Sequence, residues 1–274
     1  ALAHTGWLGL AFVYAWDTRA RRLHAETFRV PLGLGLTMST SPSGGESRLA
    51  GRGADIRLGY AQDAAGVLTK TVAVRTRQGL RLNATMTEAA PFRPLSICTQ
   101  TGINGWTYAN KVAGLPVQGT ITLPDGNRHD LAGACGHHDF SAGYMRRETF
   151  WNWACLSGSA GGRVLGLNIS CGVNETSHSE NCLWVDGELI PTGLARFRFD
   201  RRQPDAPWQV TTADGAVDLS FTPAGLHSER MDLKLFATNF RQFFGRYSGT
   251  IRARGEEIVV DGLWGFVEDQ YAKW

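Results

Sequence analysis

Charge is scarce in this chain. Asp, Glu, Lys and Arg make up 19% of its 274 residues, against the ~25% usual for soluble domains. The net charge is only +3 at pH 7, and the arginines are scattered, so no field is concentrated that would favour nucleic acid as a partner. The densest basic clusters, Arg19, Arg21 and Arg22, then Arg201 and Arg202, read as solvated loop ends. Long apolar runs are missing too. The longest, residues 6–16, falls short of the ~20 residues a membrane span needs. It also lacks the basic leader and small-residue cleavage site of a signal peptide. A cytoplasmic protein with no membrane span is the expectation. None of the five cysteines forms a CxxC pair, which speaks against a zinc knuckle or thioredoxin motif, and the odd count argues against a disulfide framework. Cys155 and Cys171 read as small core residues, with a Cys171–Cys182 bridge left open. There is no GxSxG, no P-loop, and no HxH or HExxH pattern. The glycines at 33 and 35 follow Pro31 and open no helix. Serine-hydrolase, dinucleotide and metal chemistry are therefore unsupported, and no cofactor is expected.

Glycine and aromatic residues are what the chain has in excess: 33 Gly, 9 Trp and 13 Phe. The apolar mass suffices for a core, disorder is excluded, and the glycines have no collagen period. Alternating β-branched stretches at 67–75, 81–87, 117–123, 163–173, 182–185, 188–191, 194–200, 208–212, 216–222, 247–253 and 256–263 read as strands. Asp125-Gly126, Asp186-Gly187 and Asp214-Gly215 fall between such stretches, predicting type I′ hairpins. Successive hairpins leave no room for crossover helices, so the expected class is all-β and antiparallel. Residues 229–244 could form a short helix, though 239–244 would equally suit a strand. The loop-like stretch 124–136 suggests two lobes, 1–134 and 135–274.

Chemistry concentrates in residues 135–188. On a strand, His137 and Asp139 share one face and His138 and Phe140 the other. A His with a carboxylate suits acid–base work, and hydrogen bonding within the structure suits it too. Trp151 and Trp153 share a face opposite Asn152; they could be core, or the wall of a cavity that stabilises a cation. In 164–173 the apolar Leu165, Leu167 and Ile169 oppose Asn168 and Ser170, with Asn174 continuing the polar side. Asn152 and Asn168 would orient a ligand if they faced a cavity. Glu180, Glu268 and Asp269 complete the carboxylates. One buried in an apolar pocket could act as a general acid, or each could close an ion pair with Lys111, Arg146 or Arg147.

Several of these residues fall into a longer pattern: Asp139-Phe140, Gly143, Trp151-Asn152-Trp153-Ala154, Ser157-Gly158, Gly166-Leu167-Asn168, Glu180-Asn181, Trp184-Val185-Asp186-Gly187, Trp208, Gly245 with Ser248-Gly249, and Glu268-Asp269. It resembles the bacterial domain-of-unknown-function family 2804 over residues 100–274, while the first hundred residues match poorly. That family is similar in architecture to the lipocalin-like carotenoid hydratase and Diels–Alderase group. The resemblance implies two lipocalin-like (calycin-type) barrels or half-barrels packed together, and acid chemistry on alkenes of apolar substrates.

The expectation is a cofactor-independent lyase or isomerase, hydratase- or cyclase-like, acting on a small apolar lipid or terpenoid. Asp139 or Glu180 would donate a proton, His137 or His138 would assist, and Tyr144 would polarise an oxygen. Trp151, Asn152, Trp153, Asn168, Arg147, Trp184 and Glu268 would bind substrate. A lipocalin-like carrier without chemistry and a glycan-active protein using paired carboxylates are the alternatives.

Overall fold

The computed structural model describes residues 1–51, 53–173, 178–234 and 236–273, and no helix occurs among them. Asn174 lies outside the described residues. In chain order the strands are β1 (Leu2–His4), β2 (Leu8–Asp17), β3 (Arg22–Pro31), β4 (Leu36–Thr37), β5 (Gly45–Gly51), β6 (Ala54–Gln62), β7 (Leu68–Thr76), β8 (Arg81–Glu88), β9 (Leu95–Gln100), β10 (Trp106–Thr122) and β11 (Arg128–Asp130). They continue as β12 (Ala134–Gly143), β13 (Glu148–Ala160), β14 (Arg163–Cys171), β15 (Cys182–Val185), β16 (Glu188–Pro191), β17 (Ala195–Arg198), β18 (Trp208–Thr212), β19 (Val217–Asp232), β20 (Ala237–Ala253) and β21 (Glu256–Lys273). The fold is all-β and antiparallel, built on two curled half-barrel sheets. Among the described residues no helix is long and apolar enough to cross a membrane.

The chain forms two compact units. The first comprises Ala1–Ala90 with Pro116–Ala134, the second Pro91–Leu115 with Cys135–Trp274. In the first, β1–β3 form a small sheet, and a larger one runs β11-β10-β8-β7-β6-β5-β4. Its core gathers Leu49, Ile56, Val74 and Leu80. In the second, the sheet order is β16-β15-β14-β13-β21-β20-β19-β18-β17, and the first half of β10 pairs with β9 and β12. Its core lies on one face of the large sheet, where Leu167, Ile169, Trp208, Phe221, Tyr247 and Val267 are essentially inaccessible. Burial of each such side chain contributes roughly 1.5–3 kcal/mol.

The described residues among 229–244 are not helical. They form the β19–β20 hairpin, with Arg230 paired to Asn239 and Glu229 to Phe240. Tertiary pairing overrides the local pattern, because each strand buries one side against its neighbours. The Asp-Gly turns also differ among themselves. Only Asp186-Gly187 has both residues at positive φ, 49° and 84°, as type I′ requires. At the other two only Gly126 (89°) and Gly215 (72°) do. There the aspartate accepts a backbone N–H instead: Asp125 from Asn127 at 3.0 Å and Asp214 from Ala216 at 3.2 Å, the Asx-turn alternative. All five cysteines are free, so no Cys171–Cys182 bridge forms, and Cys171 is only half-buried.

Candidate functional site

The second unit's large sheet has a polar side opposite its core. Alternation along β13 sends Ala154 and Leu156 into the core and Trp151, Trp153 and Cys155 to the other side. Register then aligns Trp153 with Glu268 on β21 and Glu268 with Gln242 on β20, while Cys155 lies opposite Asn168 on β14. Above this surface runs the β10–β12 layer. Its close approach depends on Gly166, where a side chain would collide with the Ala113 carbonyl. Ser157 fixes the layer further: its hydroxyl accepts from the Gly114 N–H at 2.9 Å and donates to the Gly136 carbonyl at 3.2 Å.

This layer delivers Lys111 from β10 into the site. Its ammonium lies 2.7 Å from Asp139 and 3.6 Å from Glu180, and 4.8 Å from the Trp153 ring centroid. Glu180 is held indirectly. Asn181 next to it accepts from the Ser170 N–H at 2.7 Å, and Asn168 donates to the Glu180 carbonyl at 2.8 Å. Asn168 itself accepts from the Trp153 indole at 2.8 Å. Glu268 accepts from the Trp151 indole at 3.1 Å and from the Gln242 amide. Asn152, on the core side, donates to the Glu268 carbonyl at 3.1 Å and to Asp269 at 3.3 Å. Arg201 grips that same Asp269 with two bonds of 2.8 and 2.9 Å.

The electrostatics separate the carboxyls. Burial lifts the Glu268 carboxyl to about 7, with the Asp139 charge adding to the rise; the Trp151 and Gln242 hydrogen bonds and the Lys111 charge oppose it. Asp139 goes the other way. Burial would raise its pKa, but the Lys111 ammonium outweighs this and holds it below the usual carboxylate range. Burial works against the Lys111 ammonium, yet Asp139 and Glu180 raise its pKa above the ordinary lysine value. His137 packs against Phe266 at 5.1 Å and Trp153 at 6.2 Å between ring centroids. Desolvation, then the Lys111 charge, lowers its imidazole pKa, against the pull of Asp139. His137 and Asp139 nonetheless touch solvent, whereas Lys111, Glu180 and Glu268 are buried. Both residues therefore stand on the solvent side of the buried groups.

The structure thus brings together Asp139, Glu180, His137, Trp151, Trp153, Asn168 and Glu268, with Asn152 bracing the Glu268 strand from behind. It leaves others outside. His138 projects from the opposite side of β12. Tyr144 stands five residues beyond Asp139, ~16 Å along an extended chain, with its exposed ring against Trp106 at 5.9 Å. Arg147 is exposed on the β12–β13 connection. Trp184 is sealed in, stacked on Phe92 at 6.1 Å with its indole N–H given to the Arg93 carbonyl at 2.8 Å. Gln242 escaped the sequence reading, and Lys111 entered it only as an ion-pair partner. Lys111 had a signal, a lone charge inside the apolar stretch 107–117; Gln242 had none. Among the described residues no group of three or more His, Cys, Asp or Glu is placed to hold a metal ion.

The family described as "Domain of unknown function (DUF2804)" matches residues 1–274. The chain belongs to it. Membership spans the whole chain, including the first hundred residues, where the sequence motifs are sparse. No curated protein matches by sequence. Among solved structures, kievitone hydratase from Nectria haematococca is 12% identical with a TM-score of 0.53, covering 100% of this chain and 83% of its own. CghA, solved with Sch210972, is 10% identical with a TM-score of 0.56, covering 96% and 84%. At such identities the likeness establishes that this DUF2804 member shares their fold.

Proposed function

We propose that this protein is an acid catalyst of the hydratase, cyclase or isomerase type, acting without a cofactor on an apolar lipid or terpenoid alkene. One observation carries the reading: Glu268 is a buried carboxyl with a pKa of about 7, set beside a lysine that already faces Asp139 and Glu180. A general acid works best when its pKa lies near the operating pH. Glu268 supplies the proton. Asp139 and Glu180, with the Trp153 face, offset positive charge developing on the protonated alkene. His137, neutral and in contact with solvent, accepts the proton from an attacking water or an adjacent carbon. That a hydratase shares the fold supports the reading by analogy.

The test is turnover of a panel of terpenoid and unsaturated-lipid alkenes in D2O, read by mass spectrometry. Wild type should incorporate deuterium or add water, and Glu268→Gln should lose at least about a hundredfold in rate. Asp139→Asn should abolish turnover with the fold intact. Wild-type rates in both variants would sink the proposal. A stoichiometric lipid surviving purification unchanged, without turnover, would indicate the carrier instead.

A further inference from the structure

The strands that carry the site, β10 and β12, meet at an end of the second unit that is apolar and exposed. The loop from Thr101 to Gly105 joins β9 to β10 there, closed by the Thr101 N–H to the Gly105 carbonyl at 3.0 Å. Two bonds of 2.8 Å lash the end of β12 to it: the Tyr144 N–H to the Trp106 carbonyl and the Thr101 hydroxyl to the Tyr144 carbonyl. This tied platform presents Ile103 at 94% exposure, Tyr144 at 68% and Trp106 at 43%. Water contact at three large apolar side chains on one braced tip is costly, and nothing in the fold of this unit requires it.

The chain segments that build the tip carry basic residues and no acidic ones. Residues 89–124 contain no Asp or Glu, nor do residues 140–147. Arg146 and Arg147 follow Tyr144 directly and are exposed. The Arg146 guanidinium is steered by the Gly172 and Val173 carbonyls at 3.3 and 3.0 Å. The neighbouring Glu148 is taken up by Lys273 at 3.3 Å. Trp and Tyr favour the headgroup level of a bilayer, aliphatic side chains the acyl boundary just below, and arginine the anionic phosphates.

We infer that this tip, Ile103, Trp106 and Tyr144 rimmed by Arg146 and Arg147, is a docking surface for an anionic lipid bilayer. It sets the two site-bearing strands end-on to a source of apolar molecules. The inference concerns binding alone and stands or falls independently of the acid chemistry.

Flotation with vesicles tests it, using phosphatidylcholine with phosphatidylglycerol against phosphatidylcholine alone. Wild type should float with the anionic vesicles, less so as salt is raised. The triple variant I103S/W106S/Y144S should partition at least about tenfold less. R146Q/R147Q should lose about fivefold per arginine. Unchanged thermal midpoints would show that both variants fold, and either variant alone suffices if the other does not. Absence of wild-type flotation overturns the inference. So does undiminished flotation of the triple variant, as when the exposed Trp7, Leu32 and Leu34 of the first unit do the binding. A concentration-dependent dimer abolished by the triple variant also overturns it, since the surface would then belong to a second copy.

Discussion

Each unit buries a lysine against carboxylates, and the two arrangements settle differently. In the first unit Lys70 on β7 meets Glu88 on β8 at 2.6 Å, both almost fully buried. Burial pulls the Lys70 ammonium below the ordinary lysine value, and Glu88 recovers only part of the loss. In the second unit burial also pulls against Lys111, but Asp139 and Glu180 with Glu268 behind them outweigh it. One ammonium cannot neutralise this set, and at buried Glu268 desolvation outweighs the Trp151 and Gln242 hydrogen bonds and the Lys111 charge, so its carboxyl holds on to a proton near neutrality. Both lysines are buried; charge balance is what separates a structural ion pair from a group that can exchange a proton.

The strongest way to break this comparison is to remove each lysine. Lys111→Met should cost about 4 kcal/mol at pH 8, because several carboxylates lose their counter-charge at once; Lys70→Met should cost nearer ~3, since one glutamate can protonate. Urea unfolding decides, and a Lys70 loss equal to or above that of Lys111 would contradict the argument. Next comes the pH dependence of Glu268. Its folded pKa, about 7, lies above the ordinary 4.5. Its contribution to stability is therefore fully present below pH 4.5 and lost as pH rises through about 7. The loss amounts to about 3 kcal/mol. Glu268→Gln should abolish that slope and leave the protein more stable than wild type at pH 8; parallel profiles would rule this out. Activity should likewise fall above pH 7, as the acid form is titrated away.

Smaller effects sharpen the same contrast. Replacing the first pair by apolar residues, Lys70→Met with Glu88→Leu, should end within ~1 kcal/mol of wild type, because a one-to-one buried pair exchanges well for packed hydrocarbon. Lys111→Met with Asp139→Leu should not recover, since Glu180 and Glu268 remain. Asn152→Ala, which frees the Glu268 carbonyl and one grip on Asp269, should cost about 1–1.5 kcal/mol. Thermal and urea melts of the variants compared with wild type check both.

Much of the sheet was legible because strand alternation is a local property. The stretch 182–185 is β15 to the residue, and 67–75 is displaced from β7 by one. Strand length was not. The stretch 117–123 is the far end of a β10 that begins at Trp106, and 216–222 the start of a β19 reaching Asp232. Gly114, Gly119, Pro223 and Gly225 lie inside these strands. In the folded chain they mark bulges, such as the register shift between Pro223 and Gly225, and places where strands crowd together. The carboxylates and the paired indoles were equally visible as residue types, but which of them would meet was not. Glu268 and Trp151 lie 117 positions apart, and no local signal links them.

By itself the sequence determined the all-β class, the Asp-Gly hairpins and the inventory of groups able to move a proton, since each follows from periodicity, turn chemistry or residue chemistry. Tertiary structure alone decided which carboxyl would have its pKa pushed up. Asp139 and Glu268 are both acids in the same chain, yet one faces the Lys111 ammonium while the other is sunk between Trp151 and Gln242. A pKa belongs to an environment assembled from distant strands, and only the register of β10, β12, β13 and β21 fixes that environment.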